Sequence, residues 1–315
     1  MRLWWHRVTH WEYWPVYVVY APSFFLWAWW VVRFRSVKFF KFANPAINNG
    51  GLYGDSKFDI YKLLPKNSYP KTHLIKQGLA YDFTELLAED QLTFPLIVKP
   101  DVGLRGIGVQ RVNSIEEIQA YSRTMNENFL IQELIEYPNE MGLFYCRMPD
   151  ERVGSITGIT LKEFLCIEGN GMDSMEDLLR KNPRFEMQIP KLKDKMDLSM
   201  VLPKNESKCI VPFGNHNRGT EFLDGREFIS EKLESRMNEL LANIDGFYYG
   251  RLDIRYNSLE DLENGIHFSI IELNGAKSEP THIYDPKHSF FYGQKEIIKH
   301  QLIFKNIIKT VRRRG

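Results

Sequence analysis

The sequence predicts an α+β fold, because β-like runs and periodic helical stretches both recur from about Tyr69 onward. The runs LIVKP and GIGVQRV bracket a glycine-spaced loop and predict a pair of hairpin strands. Near the C-terminal end, an apolar stripe at helical spacing predicts a long helix, and its members are Ile297, Phe304, Ile308 and Val311. These patterns predict an α+β domain over residues 69–315.

The other elements of this domain follow from local patterns. Apolar runs predict strands in FLIQELI, MGLFYCRMP and GSITGITLKE, and two more over 247–256 and 267–274. Ser114 followed by Glu117 predicts a capping box that opens the helix IEEIQAYSRTM. Periodic stretches near 175–180 and over 228–244 predict two further helices.

Composition bounds the class of protein. The 315 residues include 41 basic and 40 acidic residues, so no basic field favours nucleic acid as a partner. The three cysteines, Cys146, Cys166 and Cys209, lie far apart in the sequence and lack C-x-x-C spacing. They predict neither a zinc site nor a disulfide, and they favour a reducing cytoplasm.

The N-terminal stretch WPVYVVYAPSFFLWAWWVV, residues 14–32, carries no charge and holds four tryptophans. Its length is near the lower limit for a membrane-spanning helix, and Pro15 and Pro22 interrupt it. Basic residues flank both ends, and tryptophan and tyrosine favour the lipid headgroup region. We therefore expect residues 1–68 to be an aromatic, membrane-associating N-terminal segment, re-entrant or interfacial, with a structured junction. The alternative is an aromatic segment packed on the protein's own core.

Two constellations indicate a polyphosphate site with a metal. Lys99 is a lone cation in an apolar strand, and burying it is costly unless an anion neutralises it. The loop that follows holds Gly103, Gly106 and Gly108, which allow backbone N–H groups to approach a phosphate closely. Further along the chain, strand alternation places hard oxygen ligands of the kind that Mg²⁺ prefers on adjacent strands; they are Asp253, Glu272 and Asn274.

The order of the motifs PLIVKP…GLRGIGV, LIQELI…NE, GRLDIR and IIELNGAKSEPTH resembles the ATP-grasp superfamily. Within it, the chain is similar to D-alanine–D-alanine ligase-like carboxylate–amine ligases, over about residues 69–309. The resemblance implies two α+β subdomains that grip the nucleotide. It also implies ATP and Mg²⁺ (or Mn²⁺) as cofactors, and small-molecule carboxylate and amine substrates.

The same resemblance implies roles for individual residues. Lys99 would contact the nucleotide phosphates under a flap of residues 101–108, Glu133 would lie beside the adenine, and Glu140 would take the ribose hydroxyls. The metal ligands would be Asp253, Glu272 and Asn274. Residues implied at the transferred phosphate and the substrate carboxylate are Arg251, Lys162 and Ser278.

A loop, PFGNHNRGTEF, adds His216 and Arg218 as a candidate patch for recognising the acceptor; the alternative is an ordinary hydrogen-bonded loop histidine. The chain departs from the resemblance in its aromatic N-terminal segment and in the loop GLRGIGV, so substrate identity does not carry over. An enzyme anchored beside the cytoplasmic face of a membrane suggests a lipid-linked acceptor. The rival hypotheses are an ATP-grasp phosphotransferase and a membrane-attached nucleotide-binding regulator without turnover.

Overall fold

The computed structural model describes residues 2–103, 106–211, 214 and 216–314. Its α-helices are α1 Arg2–Thr9, α2 Val16–Val19, α3 Ala21–Phe34, α4 Lys57–Tyr61, α5 Phe83–Glu89, α6 Ile115–Thr124, α7 Met175–Arg180, α8 Pro183–Glu186, α9 Ile189–Leu192, α10 Glu231–Leu241, α11 Leu259–Asn264 and α12 Phe290–Arg314. Short 3₁₀ helices cover Trp11–Tyr13, Phe39–Ala43, Asn48–Gly51, His216–Arg218, Arg226–Phe228 and Thr281–Tyr284.

The strands form three antiparallel sheets within these described residues. Their bounds are β1 Thr72–Ile75, β2 Leu96–Pro100, β3 Gln110–Val112, β4 Phe129–Glu133, β5 Asn139–Cys146, β6 Ser155–Glu163, β7 Leu165–Glu168, β8 Ser207–Val211, β9 Glu221–Asp224, β10 Tyr249–Tyr256 and β11 Phe268–Asn274. One sheet has the order β1-β4-β2-β3, the second β11-β10-β5-β6-β9, and the third consists of β7 and β8. The α+β prediction is confirmed.

The four-stranded and five-stranded sheets each have a core of their own. Leu96 and Val98 of β2 pack with Ile118 of α6 and other apolar residues of the first core. In the second core, Leu252 of β10 packs with residues of α10, and residues 47–64 add further apolar side chains, which are Ile47, Ile60, Tyr61 and Leu64. The predicted junction is therefore part of the second core.

Most predicted elements are present with shifted ends. The hairpin of β2 and β3 is confirmed, with Leu96 opposite Val112. Ser114 caps α6 by accepting the Glu117 N–H, while the Glu117 carboxylate accepts the N–H of Asn113, one residue before the cap. The helix predicted over 228–244 begins only at Glu231, because the Ser230 hydroxyl caps it by accepting the Leu233 N–H.

The N-terminal segment is half packed on the protein and half exposed. Trp30 is buried with Phe39 and Phe304, and Trp11 packs on Gly293, where a Cβ would come within 2.6 Å of the indole ring. The opposite side of α3 is exposed: Phe25 by 79% and Trp29 by 62%. In the described part of the chain, no helix is both long and apolar enough to span a bilayer.

Cys166 and Cys209 form a disulfide between β7 and β8. The expectation of unpaired cysteines is therefore wrong. Strand pairing places the two residues directly opposite each other although they are 43 positions apart in the chain. Cys146 is free and buried in β5.

We predict that Phe304→Ala will lower the free energy of unfolding by about 3–5 kcal/mol, because Phe304 is buried between the N-terminal segment and β10. The matched control is Leu302→Ala on the same helix, where the side chain is 44% exposed and the change should be about 0.5 kcal/mol or less. Urea unfolding measures both. Equal losses for the two variants would contradict the packing described for α12.

Candidate active site

A cavity of about 1020 Å³ lies between the four-stranded and five-stranded sheets. The four-stranded sheet contributes Lys99 and Gln132, and the five-stranded sheet contributes Arg251 and Asp253. Such a volume is at the upper end of the range for small-molecule sites. Every site residue predicted from the sequence except Gly108 lines this cavity: Lys99, Gly103, Gly106, Glu133, Glu140, Lys162, His216, Arg218, Arg251, Asp253, Glu272, Asn274 and Ser278.

Lys99 is a buried cation with neutral partners. Its Nζ donates to the Tyr61 hydroxyl at 3.0 Å and to Gln132 Oε1 at 2.8 Å. Among the described residues, no carboxylate lies within ion-pair distance of this ammonium. A buried, unneutralised ammonium is costly, so an anion in the cavity would stabilise this arrangement.

Lys57 organises the base of the glycine loop. Its Nζ donates to three backbone carbonyl oxygens, those of Pro100 (3.2 Å), Asp101 (3.1 Å) and Gly103 (3.1 Å). Burial, together with the nearby charge of Lys99, lowers the pKa of Lys57. The loop is thus held by a second lysine that has no carboxylate within ion-pair distance among the described residues, although the charge of Glu272 acts on it.

The glycine loop adopts backbone angles that favour glycine. Gly106 and Gly108 have φ of 69° and 75°, and a Cβ on Gly108 would come within 2.8 Å of the Pro100 ring. Gly103 has an ordinary φ, and Leu104 and Arg105 of the predicted flap lie outside the described residues. Arg218 Nη2 donates to the Gly106 carbonyl at 3.2 Å, which joins this loop to the 3₁₀ helix of residues 216–218.

A chain of ion pairs crosses the floor of the cleft. Lys162 Nζ lies 2.7 Å from Glu140 Oε1 and 3.1 Å from Asp253 Oδ1, and Arg251 Nε lies 3.0 Å from the same Asp253 oxygen. Burial would raise the pKa of Asp253, but Arg251 and Lys162 hold it below its usual value. Burial would lower the pKa of Lys162, but Asp253 and Glu140 raise it. These opposite charges therefore favour the charged forms of Asp253 and Lys162.

Glu140 does not present an open carboxylate, since Arg255 Nε lies 2.9 Å from its second oxygen. Ser278 is also engaged: its hydroxyl donates to the Asn274 carbonyl and accepts the Arg251 N–H, which ties the end of β11 to β10. Glu133 accepts the Lys71 N–H at 3.2 Å. The roles predicted for these three residues in nucleotide and substrate binding remain predictions.

The set predicted for a metal comes together from two paired strands. Asp253 is directly opposite Glu272, and Arg251 is directly opposite Asn274, so all four side chains share one face. In the described part of the chain, the Glu272 carboxylate has no ion-pair partner, and no group of three or more His, Cys, Asp or Glu has metal-binding geometry. Two carboxylates and an amide oxygen nevertheless fit the hard-oxygen preference of Mg²⁺.

His216 contacts the N-terminal segment. Its Nε2 lies 3.0 Å from Glu12 Oε2, and Arg184 Nη2 donates to both oxygens of Glu12 at 2.9 and 2.8 Å. Burial would raise the pKa of Glu12, but the hydrogen bond with His216 and the charge of Arg184 lower it. Glu12 also lines the cavity, so the N-terminal segment forms part of its wall.

Sequence reasoning missed Lys57, Glu12 and Arg184. Lys57 stands in the short apolar stretch KFDIY, and the reasoning applied to Lys99 could have found it there. Glu12 and Arg184 are 172 positions apart, and no local pattern links them. Their pairing is visible only in the folded chain.

No protein-family model matches the chain. A curated relative, the coenzyme gamma-F420-2:alpha-L-glutamate ligase of Methanococcus maripaludis, is 31% identical over 124 residues. The match covers 38% of this chain and 42% of that protein. This chain therefore spans less than half the length of the curated relative.

Solved structures with a similar backbone include a D-alanine–D-alanine ligase from Bacillus anthracis complexed with ATP, with a TM-score of 0.46 and 14% identity over 82% of this chain and 68% of that chain. A bifunctional glutathione synthetase from Pasteurella multocida has a TM-score of 0.43 and 14% identity over 79% of this chain and 36% of that chain. The VanG D-Ala:D-Ser ligase from Enterococcus faecalis has a TM-score of 0.40 and 17% identity over 81% of this chain and 61% of that chain.

We predict that Lys99→Ala will weaken Mg·ATP binding about ten- to a hundredfold, because a charge-assisted hydrogen bond is worth about 1.5–3 kcal/mol. Titration calorimetry measures the dissociation constant. Lys76→Ala removes an exposed lysine that follows β1 and should leave binding unchanged. If Lys99→Ala and the parent protein bound Mg·ATP with equal affinity, the prediction that Lys99 contacts the nucleotide phosphates would be wrong.

Proposed function

We propose that the chain is an ATP-grasp ligase that activates a carboxylate as an acylphosphate and joins it to an amine. The observation that carries this proposal is the buried ammonium of Lys99, which has only neutral partners and stands beside Lys57 and a glycine loop. Such a site favours a polyphosphate, because the anion offsets the cost of burying the cations. Similarity to a curated ligase supports the same function.

In the first step, a carboxylate oxygen of the substrate attacks the γ-phosphorus of ATP, and ADP leaves. Lys99 neutralises charge on the phosphates. Arg251 uses Nε and Nη2 on Asp253, and its Nη1 donors remain for the oxyanion that forms at the acyl carbon in the second step. The residues that would hold Mg²⁺ (or Mn²⁺) are Glu272, Asn274 and Asp253, and the ion would supply charge neutralisation at the phosphates.

We predict that hydroxylamine will trap a hydroxamate when the protein is incubated with Mg·ATP and a pool of proteinogenic amino acids and short dicarboxylic acids. Hydroxylamine intercepts an acylphosphate, so hydroxamate, ADP and free phosphate should appear together. Lys99→Ala should lower all three by about tenfold or more. A stable phosphorylated product without hydroxamate would support the phosphotransferase instead, and Mg·ATP binding without any ADP release would support a regulator.

We also propose that the exposed side of α3 rests on a membrane, at its cytoplasmic face, where ATP is available. Phe25, Trp29 and Val32 recur at helical spacing and are exposed by 79%, 62% and 68%. Basic residues surround the C-terminal end of α3, and Arg312 of α12 donates to the Phe34 carbonyl there. Basic side chains around an apolar stripe favour a bilayer with anionic lipid.

A membrane position would bring the cleft near lipid substrates, because Trp14, Pro15 and Val16 of the N-terminal segment line the cavity. The acceptor that fits this position is a lipid or a lipid-linked amine. This part of the proposal depends on membrane binding and can fail without the ligase function failing.

We predict that the protein sediments with vesicles of phosphatidylcholine and phosphatidylglycerol, and less with phosphatidylcholine alone. Phe25→Asp with Trp29→Asp should lower the bound fraction about tenfold or more, because each aromatic side chain contributes about 1.5–3 kcal/mol when buried. The matched control is Leu79→Asp, which changes an apolar residue that is 61% exposed near β1. If the parent protein sedimented with neither kind of vesicle, the membrane proposal would be overturned.

A further inference from the structure

We propose that Glu279 binds the ammonium group of the acceptor and takes one proton from it before the amine attacks. The inference rests on the proposed ligase function and assigns the amine end of that site. Glu279 follows β11 and lines the cavity with Arg251 and Ser278. Arg251 is the residue proposed above to bind the oxyanion at the acyl carbon.

The first observation is the charge balance of the cleft. Three carboxylates that line the cavity already have a cation within ion-pair distance: Glu12 with Arg184, Glu140 with Lys162, and Asp253 with Arg251. Asp55 pairs with Lys277, which also lines the cavity. Glu279 has no cation within ion-pair distance among the described residues: the Tyr284 hydroxyl donates to its Oε2 at 3.2 Å, Tyr20 also interacts with it, and the charge of Arg251 acts on it from beyond that distance. A partly buried carboxylate whose close partners are neutral hydroxyls favours a cationic ligand.

The second observation is the surface around Glu279. Tyr284 and Phe222 line the cavity, as do Trp14, Pro15 and Val16. Tyr284 also stacks against Trp11 at a centroid distance of 5.2 Å and lies 5.8 Å from the His216 ring. An ammonium on Glu279 would therefore have apolar and aromatic surface beside it. This surface suits an amine attached to an apolar group.

The chemistry of the second step requires such a group. The bound ammonium gives one proton to Glu279, and the nitrogen lone pair of the neutral amine forms the C–N bond. The C–O bond to phosphate then breaks, and its electron pair leaves with the phosphate, which also takes the second proton from nitrogen. The products are the amide, hydrogen phosphate and protonated Glu279, which returns its proton to solvent.

The test compares two nucleophiles in the full-length protein with Mg·ATP and the acid pool described above. Hydroxylamine is small and largely uncharged at neutral pH, so it does not require a carboxylate. The charged probes are ethanolamine, the proteinogenic amino acids, and phosphatidylethanolamine in detergent micelles. Glu279→Gln should keep hydroxamate formation within about twofold and lower amine-dependent ADP release by about tenfold or more.

Two further variants serve as a second probe of the amine site and as a control. Tyr284→Phe removes only the hydroxyl that donates to Glu279 and should raise the KM for the amine with a smaller effect on kcat. Glu163→Gln removes an exposed carboxylate beside Lys162 that does not line the cavity, and it should change neither rate. Thermal unfolding and Mg·ATP binding of each variant report whether the fold and the nucleotide site are intact.

The outcomes separate the two proposals. Equal amine-dependent rates in Glu279→Gln and the parent protein would overturn the role of Glu279, as would loss of hydroxamate formation together with amine coupling. A parent protein that forms hydroxamate but responds to none of the amines would also overturn it, while the activation step would stand. A parent protein that forms no hydroxamate would overturn the ligase function and the amine site with it.

Discussion

The ion pairs on the floor of the cleft are the constraint on which the site depends. Glu140, Lys162, Asp253 and Arg251 come from the adjacent strands β5, β6 and β10, and burying such charges is costly unless they are paired. The antiparallel register brings their opposite charges together. Removing one partner would leave a buried charge without compensation. Each of these side chains therefore holds its ion-pair partners in position, in addition to any role of its own in the reaction.

Near these ion pairs, a few charged side chains of the cleft lack a partner of opposite charge within ion-pair distance. Among the described residues, Lys99 and Lys57 at the glycine loop have no carboxylate within ion-pair distance, and Glu272 and Glu279 have no cation within that distance. The charge of Arg251 acts on both glutamates from farther away, and the charge of Glu272 acts on Lys57. A protein gains nothing in stability from such groups until a ligand supplies the opposite charge. Lysines and carboxylates without a close partner of opposite charge fit the proposed binding of a polyphosphate with its metal and of an incoming ammonium.

Local pattern was enough to predict β2–β6, β10 and β11, but not the short strands β1, β7, β8 and β9. Several residues at the cleft, among them Glu140 and Ser278, were predicted from the family resemblance. Alternation along β10 separates Arg251 and Asp253 from the buried Leu252 and Ile254, and this is visible in the sequence. What could not be predicted depends on distant pairing. The disulfide between Cys166 and Cys209 arises from strand register, and the contact of Glu12 with Arg184 joins the first residues of the chain to the middle. The local sequence also does not predict which N-terminal tryptophans are buried, because the same helix buries Trp30 and exposes Trp29.

The packing of α3 and Trp11 against α12 has a consequence for biosynthesis. The ribosome makes the tryptophans of the N-terminal segment long before the helix that covers Trp27 and Trp30. Throughout translation, these indoles lack their final partner, and exposed apolar surface on a nascent chain promotes aggregation. Early contact with a chaperone or a lipid surface would protect the growing polypeptide until α12 emerges.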